Sequence, residues 1–115
     1  MEKKVIPPDE WAKYLEGFSS RNRGRRARFE TFAAGIVTEE DEEAVFDGVS
    51  MEKNIAKVRR LNRTHNDDPI SDELTDIRGL TVQLDSDGSD NTIEFLDSNG
   101  DVTVVHFESM VDGEN

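Results

Sequence analysis

Residues 6–24 have the sequence Ile-Pro-Pro-Asp-Glu-Trp-Ala-Lys-Tyr-Leu-Glu-Gly-Phe-Ser-Ser-Arg-Asn-Arg-Gly, in which large apolar residues recur at the spacing of one helical face. These residues are Trp11, Tyr14, Leu15 and Phe18. Pro8 suits the first position of a helix, and Gly24 can take the left-handed conformation that ends many helices. The segment therefore predicts an amphipathic helix whose apolar face packs against the rest of the chain.

The residues after this helix predict a strand over residues 25–37. Alternation at period two places one set of side chains on the same face: Ala27, Phe29, Thr31 and Ala33. The opposite face is also apolar at Phe32 and Ile36. Either both faces are covered near the middle of the strand, or a bulge at Gly35 resets the register.

Residues 39–43 form an acidic run, Glu-Glu-Asp-Glu-Glu, which we expect to be a solvated turn before a short strand at residues 44–46. Residues 50–63 are ambiguous, because their apolar side chains fit helical spacing while the β-branched residues suit a strand. Spacing alone favours a helix slightly. Further along, Leu80, Val82 and Leu84 alternate with polar residues and predict a strand with one buried face, followed by a loop at residues 85–91.

Residues 97–101, Asp-Ser-Asn-Gly-Asp, predict the turn of a closing hairpin, with Gly100 left-handed in a bulge. Such a turn pairs Phe95 with Thr103. A two-residue turn at the same place would instead direct His106 inward. We prefer the bulged turn because it buries two large apolar residues from each strand: Ile93, Phe95, Val105 and Phe107.

The length of 115 residues fits one domain, for which we expect residues 1–5 and 109–115 to be disordered tails. The chain contains no cysteine, which excludes disulfides, thiolate metal sites and thiol nucleophiles. It contains no apolar run near the ~18 residues that span a bilayer, and its N-terminus has no apolar leader. We therefore expect a cytoplasmic protein with no membrane contact.

The net charge of −12 is concentrated in the second half of the chain. Residues 1–63 contain 13 basic and 12 acidic residues, whereas residues 64–115 contain Arg78 alone against 14 acidic residues. This acid excess, with arginine outnumbering lysine, is typical of adaptation to high intracellular salt, where a Debye length of about 3 Å at ~1 M screens neighbouring carboxylates. An ordinary acidic bacterial protein, kept soluble by its charge, is the alternative.

The head of the chain, Ile6-Pro7-Pro8-Asp9-Glu10-Trp11 followed by residues 14–19, resembles a family of small bacterial proteins classified only as a domain of unknown function. Gly48-Val49-Ser50 matches a Gly-hydrophobic-Ser step of that family, and residues 93–107 match its closing hairpin. The chain departs from the family pattern at residues 39–43 and 63–73. The resemblance implies a helix followed by an antiparallel sheet, so it favours a strand at residues 54–61, and it implies no activity.

Residues 21–28 contain the candidate contact site for an anion or a partner, which we call the arginine cluster: Arg21, Arg23, Arg25, Arg26 and Arg28. Guanidinium groups make bidentate contacts with phosphate and carboxylate. If residues 53–63 lie alongside, they extend the patch with Lys53, Lys57, Arg59, Arg60 and Arg63. We favour pairing of these cations with the acidic half of the chain over a surface for a protein partner or second copy. Nucleic acid is the least favoured partner, because the net charge opposes it and no known motif is present.

No motif in the sequence supports catalysis or metal binding. The loop at residues 85–91 is rich in oxygen ligands, but Gly88 and Leu96 stand at the wrong positions for an EF-hand. His65 and His106 are isolated from any catalytic motif. We therefore expect no catalytic residue, no metal site and no cofactor.

Taken together, these patterns predict an α+β fold in which an N-terminal amphipathic helix packs on a curled antiparallel sheet of five or six strands, resembling half a barrel. We expect a non-catalytic binding or interaction module. The alternative is a nucleic-acid accessory protein that uses the arginine cluster. A hydrolase with a carboxylate site is the third candidate, and a concave pocket with converging carboxylates would favour it.

Overall fold

The computed structural model describes residues 2–33, 35–62 and 68–108, with only the backbone described at residues 38–43, 62 and 68. In these ranges the chain forms one α-helix, preceded by a short 3-10 turn at Pro8–Glu10, and eight strands. The elements are β1 Glu2–Val5, α1 Trp11–Asn22, β2 Arg26–Ala33, β3 Ile36–Glu52, β4 Ile55–Asn62, β5 Asp68–Leu74, β6 Ile77–Leu84, β7 Asp90–Asp97 and β8 Val102–Phe107.

The eight strands form one open antiparallel sheet in the order β1-β6-β7-β8-β2-β3-β4-β5. This confirms the predicted α+β class with an N-terminal helix. The predicted number of five or six strands is too low, because β1 lies in the expected N-terminal tail and β5 lies where the sequence pattern is weakest. The start of β6 contacts the turn between β3 and β4, where Ile77 N donates to Asn54 O at 2.9 Å. Three strands separate β6 from β3 in the sheet order, so this contact shows that the sheet curls and has a concave face.

Residues 25–37 form two strands rather than one, with a turn that contains Gly35 at a φ of 78°. The acidic run at residues 39–43 is not a turn but part of β3, whose backbone pairs with β2 at Glu39 and Asp41. The turn at Gly35 directs the chain back along β2, and backbone pairing does not depend on side-chain polarity. The prediction of a turn at residues 39–43, which depended on composition, was therefore wrong.

Residues 55–62 form strand β4, as the family resemblance implies and contrary to the helical spacing. Ala56, Val58 and Arg60 alternate as the buried side chains of this strand. The helical spacing arose because apolar residues of both faces of β4 were counted together with Met51, which lies in β3.

The closing hairpin has the predicted register. Phe95 pairs with Thr103 and Ile93 pairs with Val105, and Gly100 has a φ of 86°. Asp97 N donates to Asp101 O at 3.0 Å and closes the turn. The side chains expected on the core face are all buried: Ile93, Phe95, Val105 and Phe107.

Helix α1 packs on one end of the concave face through Trp11, Leu15 and Phe18, which are at most 5% exposed. The ring of Phe18 lies 5.8 Å from that of Phe46 and 5.7 Å from that of Phe107. The indole nitrogen of Trp11 donates to Ile6 O at 2.8 Å, which ties the start of the helix to the segment after β1. Gly24 ends the helix with a φ of 92°, as the sequence predicts.

Residues 2–5, which the sequence predicts as part of a tail, form β1 and pair with β6 from Glu2–Leu84 to Val5–Thr81. The other predicted tail, residues 109–115, lies outside the described residues. Among the described residues, no helix is both long enough and apolar enough to cross a membrane.

Candidate functional site

Arg21, a member of the arginine cluster, and Asn22 hold the end of α1 to the sheet through the buried side chain of Asp90, which is 4% exposed. Arg21 Nε donates to Asp90 Oδ2 at 2.7 Å, and Asn22 Nδ2 donates to the same oxygen at 2.7 Å. The hydrogen bond that Arg21 donates to the Asp90 carboxylate raises the pKa of Arg21. These contacts satisfy a carboxylate that would be costly to bury alone.

Arg25 extends this network to the last strand. Its Nη1 donates to Asp90 O at 2.7 Å and to Asn22 Oδ1 at 3.0 Å, and its Nη2 donates to Glu108 O at 2.7 Å. The guanidinium also lies 4.8 Å from the centre of the Phe107 ring. Burial lowers the pKa of Arg25, and the nearby charge of Asp90 opposes this effect. Arg25 is therefore engaged with its own chain.

Two further members of the cluster, Arg26 and Arg28, form long ion pairs at the surface. Arg26 Nε lies 3.9 Å from a carboxylate oxygen of Glu108, and Arg28 Nη2 lies 4.0 Å from one of Glu30. Exposed pairs at such distances contribute little to stability. The cluster therefore does not form one continuous basic face.

Arg23 is the member of the arginine cluster that lies near a basic residue of residues 53–63, namely Arg59. Its Nε and that of Arg59 each lie 4.0 Å from a different carboxylate oxygen of Asp47. The next residue of β4, Arg60, points instead to the concave face. There it pairs with Asp72, and its guanidinium lies 4.8 Å from the centre of the Phe29 ring. Arg63 lies outside the described residues.

The concave face contains a cavity of about 350 Å³ at the end that α1 does not cover. We call it the concave cavity. Its apolar lining consists of Phe29, Val58, Leu74, Ile77 and Phe95. Its polar lining consists of Thr31, Asp72, Glu73, Thr75, Asp97, Asp101 and Thr103.

Carboxylates are the charged side chains that line this cavity; no lysine, arginine or histidine is among the described residues that line it. Asp97 Oδ1 accepts hydrogen bonds from Asn99 N and Asp101 N, both at 2.9 Å, so this carboxylate also stabilises the turn. Asp72 pairs with Arg60. Among the described residues, the side chain of Asp101 has no cationic partner. Glu73 alternates with Asp72 along β5 and pairs in register with Lys57, so its side chain faces the other side of the sheet.

The sequence predicts parts of this cavity but not their assembly. Alternation places Phe29 and Thr31 on one face of a strand, and the predicted hairpin brings Phe95 beside Thr103. The sequence analysis did not predict β5, which contributes Asp72 and lies in a segment with no clear pattern. The signal that could have predicted this strand is the alternation that places Asp72 and Leu74 on the same side.

The other polar candidates do not form a site. In the loop at residues 85–91, Asp87 Oδ1 accepts hydrogen bonds from the backbone nitrogen and hydroxyl of Ser89, and these bonds lower the pKa of Asp87. Among the residues whose side chains are described, no three potential metal ligands of the histidine, cysteine or carboxylate type converge. His106 Nε2 lies 2.7 Å from Glu30 Oε1, and His65 lies outside the described residues.

No protein-family model matches this chain, and neither the curated proteins nor the solved structures yield a match. The resemblance of residues 6–19 to a domain of unknown function therefore stays a prediction.

Proposed function

We propose that this protein is a non-catalytic binding module that takes a cationic group with an apolar body into the concave cavity. The observation that carries this proposal is the combination of an apolar lining that includes Phe29 and Phe95 with the carboxylates of Asp72, Asp97 and Asp101. Such a surface suits a ligand that is charged at one end and apolar at the other. The side chain of a lysine or arginine and a small organic amine both have this chemistry.

The size of the cavity supports a small ligand or a single side chain. Its volume of about 350 Å³ lies at the lower end of the roughly 300–1,000 Å³ found for ligand pockets. The net charge of −12 also favours approach of a cation at low and moderate ionic strength.

Arg60 provides an internal example of the proposed interaction. Its guanidinium is paired with Asp72 and placed over the ring of Phe29, and both of these residues also line the cavity. A cation near the face of an aromatic ring gains about 0.5–2 kcal/mol, more when water is excluded. A ligand cation that binds beside Asp97 and Asp101 would find similar partners.

Titration calorimetry with benzamidine and benzamide tests this proposal. The two probes have the same shape, but only benzamidine is charged at neutral pH. Because hydrogen bonds to charged groups contribute about 1.5–3 kcal/mol, we expect benzamidine to bind at least about tenfold more tightly than benzamide. Equal affinity for the two probes, or no binding of either, would reject the proposal.

A hydrolase is the second candidate, and one observation favours it: carboxylate side chains line a concave cavity. The contacts of these carboxylates argue against it, because Asp72 pairs with Arg60 and Asp97 stabilises the turn. Screening chromogenic glycosides and phosphate esters with wild type and Asp101→Asn tests this candidate. Hydrolysis that the substitution removes would establish an enzyme in place of a simple binding module.

A nucleic-acid accessory protein that uses the arginine cluster has less support. Arg21 and Arg25 are engaged with Asp90, and Arg26 and Arg28 lie near glutamates. A gel shift at ~20 mM salt, where phosphate contacts are strongest, tests this alternative. A shift of DNA or RNA that disappears as salt rises would revive it.

A further inference from the structure

Arg23, just after α1, and Arg59, in β4, converge beside Gly48 on β3. The Nη2 atoms of both arginines lie within 3.5 Å of the position that a Cβ of Gly48 would occupy, and Arg59 Nη2 is only 2.6 Å from it. A Cβ here would clash with Arg59 Nη2 and would only touch Arg23 Nη2, so glycine permits the close approach of the Arg59 guanidinium. Asp47 is the extra residue of a β-bulge here, because Phe46 pairs with Arg60 and Gly48 pairs with Arg59.

The bulge fixes the two arginines from one side. Arg23 Nε donates to Asp47 O at 2.8 Å, and the Asp47 carboxylate lies 4.0 Å from the Nε atoms of both arginines. Among the described residues, the guanidinium of Arg59 donates no hydrogen bond. Its side chain is 35% exposed and that of Arg23 is 54% exposed, so both retain donors that face outward.

A second cavity, of about 260 Å³, lies between α1 and the β3–β4 hairpin. We call it the arginine pocket. Both arginines line it, together with the hydroxyl-bearing residues Ser20 and Ser50. Glu16 is the acidic residue among its described lining, and Asp47 does not line it. The lining of the pocket therefore carries two positive charges against one negative charge, and the Asp47 carboxylate beside the arginines adds a second negative charge outside the lining.

We propose that the arginine pocket binds an oxyanion, a phosphate or carboxylate group of a small molecule, between Arg23 and Arg59. Planar guanidinium groups donate paired hydrogen bonds that match the oxygens of these anions. The hydroxyl groups of Ser20 and Ser50 supply further donors. This site is separate from the concave cavity and selects ligands of the opposite charge.

Titration calorimetry with inorganic phosphate and with acetate tests this proposal, with one arm for each source of oxyanion. Because hydrogen bonds to charged groups contribute about 1.5–3 kcal/mol, Arg59→Gln should weaken binding of the preferred anion at least about tenfold. Arg78→Gln is the matched control, since Arg78 is exposed on β6 and away from the pocket. It should leave the affinity within about twofold, as expected for a distant surface charge.

Glu16→Gln should change the affinity for the anion in the direction opposite to Arg59→Gln. Glu16 is exposed on α1, and glutamine has nearly the same helix propensity, so the fold should be kept. Removing this negative charge should tighten anion binding by about two- to fivefold, the effect of one partly exposed charge. This outcome remains informative even if Arg59→Gln fails to fold.

The two variants together decide the proposal. Binding of phosphate or acetate that weakens in Arg59→Gln and tightens in Glu16→Gln supports it, and the stronger of the two anions identifies the ligand group. No binding of either anion to wild type overturns it. Equal binding by wild type, Arg59→Gln and Glu16→Gln also overturns it.

Discussion

The hydroxyl of Ser19 on α1 accepts a hydrogen bond from Val49 N and donates one to Val49 O, both at 2.8 Å. Strand β2 begins opposite Val45, so it does not reach the edge of β3 at Val49. One buried side chain of the helix therefore satisfies backbone groups that a neighbouring strand would otherwise pair. The helix completes the sheet at this edge as well as covering its apolar face.

Substituting this hydroxyl should destabilise the fold. Ser19→Ala leaves the donor and acceptor of Val49 buried without their partner, which we expect to lower the free energy of unfolding by about 1–3 kcal/mol. Urea denaturation followed by Trp11 fluorescence measures this change. Ser20→Ala is the control, because Ser20 is exposed and its loss should change stability by about 0.5 kcal/mol or less. Equal effects of the two substitutions would show that the Ser19 contacts contribute nothing.

The single tyrosine reports on the buried carboxylate of the network at the end of α1. Burial raises the pKa of Tyr14 above its ordinary value of 10.0, and the charge of Asp90 raises it further, whereas Arg21 opposes both effects. We therefore expect Asp90→Asn to lower the pKa of Tyr14. Ultraviolet absorbance of the phenolate measures the pKa of Tyr14 in wild type and in Asp90→Asn. A higher pKa of Tyr14 in Asp90→Asn would contradict the effect of the Asp90 charge on the phenol.

The same group predicts a pH dependence of stability. Since the folded state holds the phenol proton of Tyr14 more tightly than the unfolded state, the free energy of unfolding should fall as pH rises from 10.0 towards the raised pKa. The comparison is with Tyr14→Phe, which retains every other ionisable group. The difference in stability between the two proteins should change with pH only in this range. A constant difference would mean that Tyr14 has the same pKa in both states.

High salt should stabilise the fold if the acidity reflects adaptation to a saline cytoplasm. Acidic residues that lie close together, such as Asp97 and Asp101, repel one another at low salt, and a Debye length of about 3 Å at 1 M removes this repulsion. We expect the melting temperature to rise steadily with KCl up to ~1 M. A melting temperature that does not respond to KCl would remove the hypothesis of salt adaptation and favour an ordinary acidic protein.

Local patterns in the sequence predicted the elements whose residues are neighbours along the chain. The helix stripe from Trp11 to Phe18 and the hairpin turn with Gly100 are of this kind, because spacing and turn geometry alone determine them. The length of β3 was not predictable in this way. The acidic composition of residues 39–43 is typical of a turn, yet pairing with β2 holds their backbone in a strand.

The candidate site was harder to predict than the fold because its residues come from distant strands. Phe29, Asp72 and Asp101 lie on β2, on β5 and just before β8, and only the order of strands in the sheet brings them to one cavity. The spacing of the arginines also gave a misleading prediction of one basic patch, since successive residues of a strand point to opposite faces. Arg59 and Arg60 are adjacent in sequence, but one lines the arginine pocket and the other pairs with Asp72 on the concave side.

The most direct test of the proposed function is the dissociation constant of benzamidine for Asp101→Asn compared with that for Glu94→Gln. Each substitution removes one negative charge. Asp101 lines the concave cavity, and its backbone makes the turn contacts, whereas Glu94 lies on the opposite face of β7 from the cavity residue Phe95. Because a charged hydrogen bond contributes about 1.5–3 kcal/mol, we predict that Asp101→Asn weakens binding about tenfold and that Glu94→Gln leaves it nearly unchanged. Equal weakening by the two substitutions would show that benzamidine responds only to the overall charge, and would contradict a cation site in the cavity.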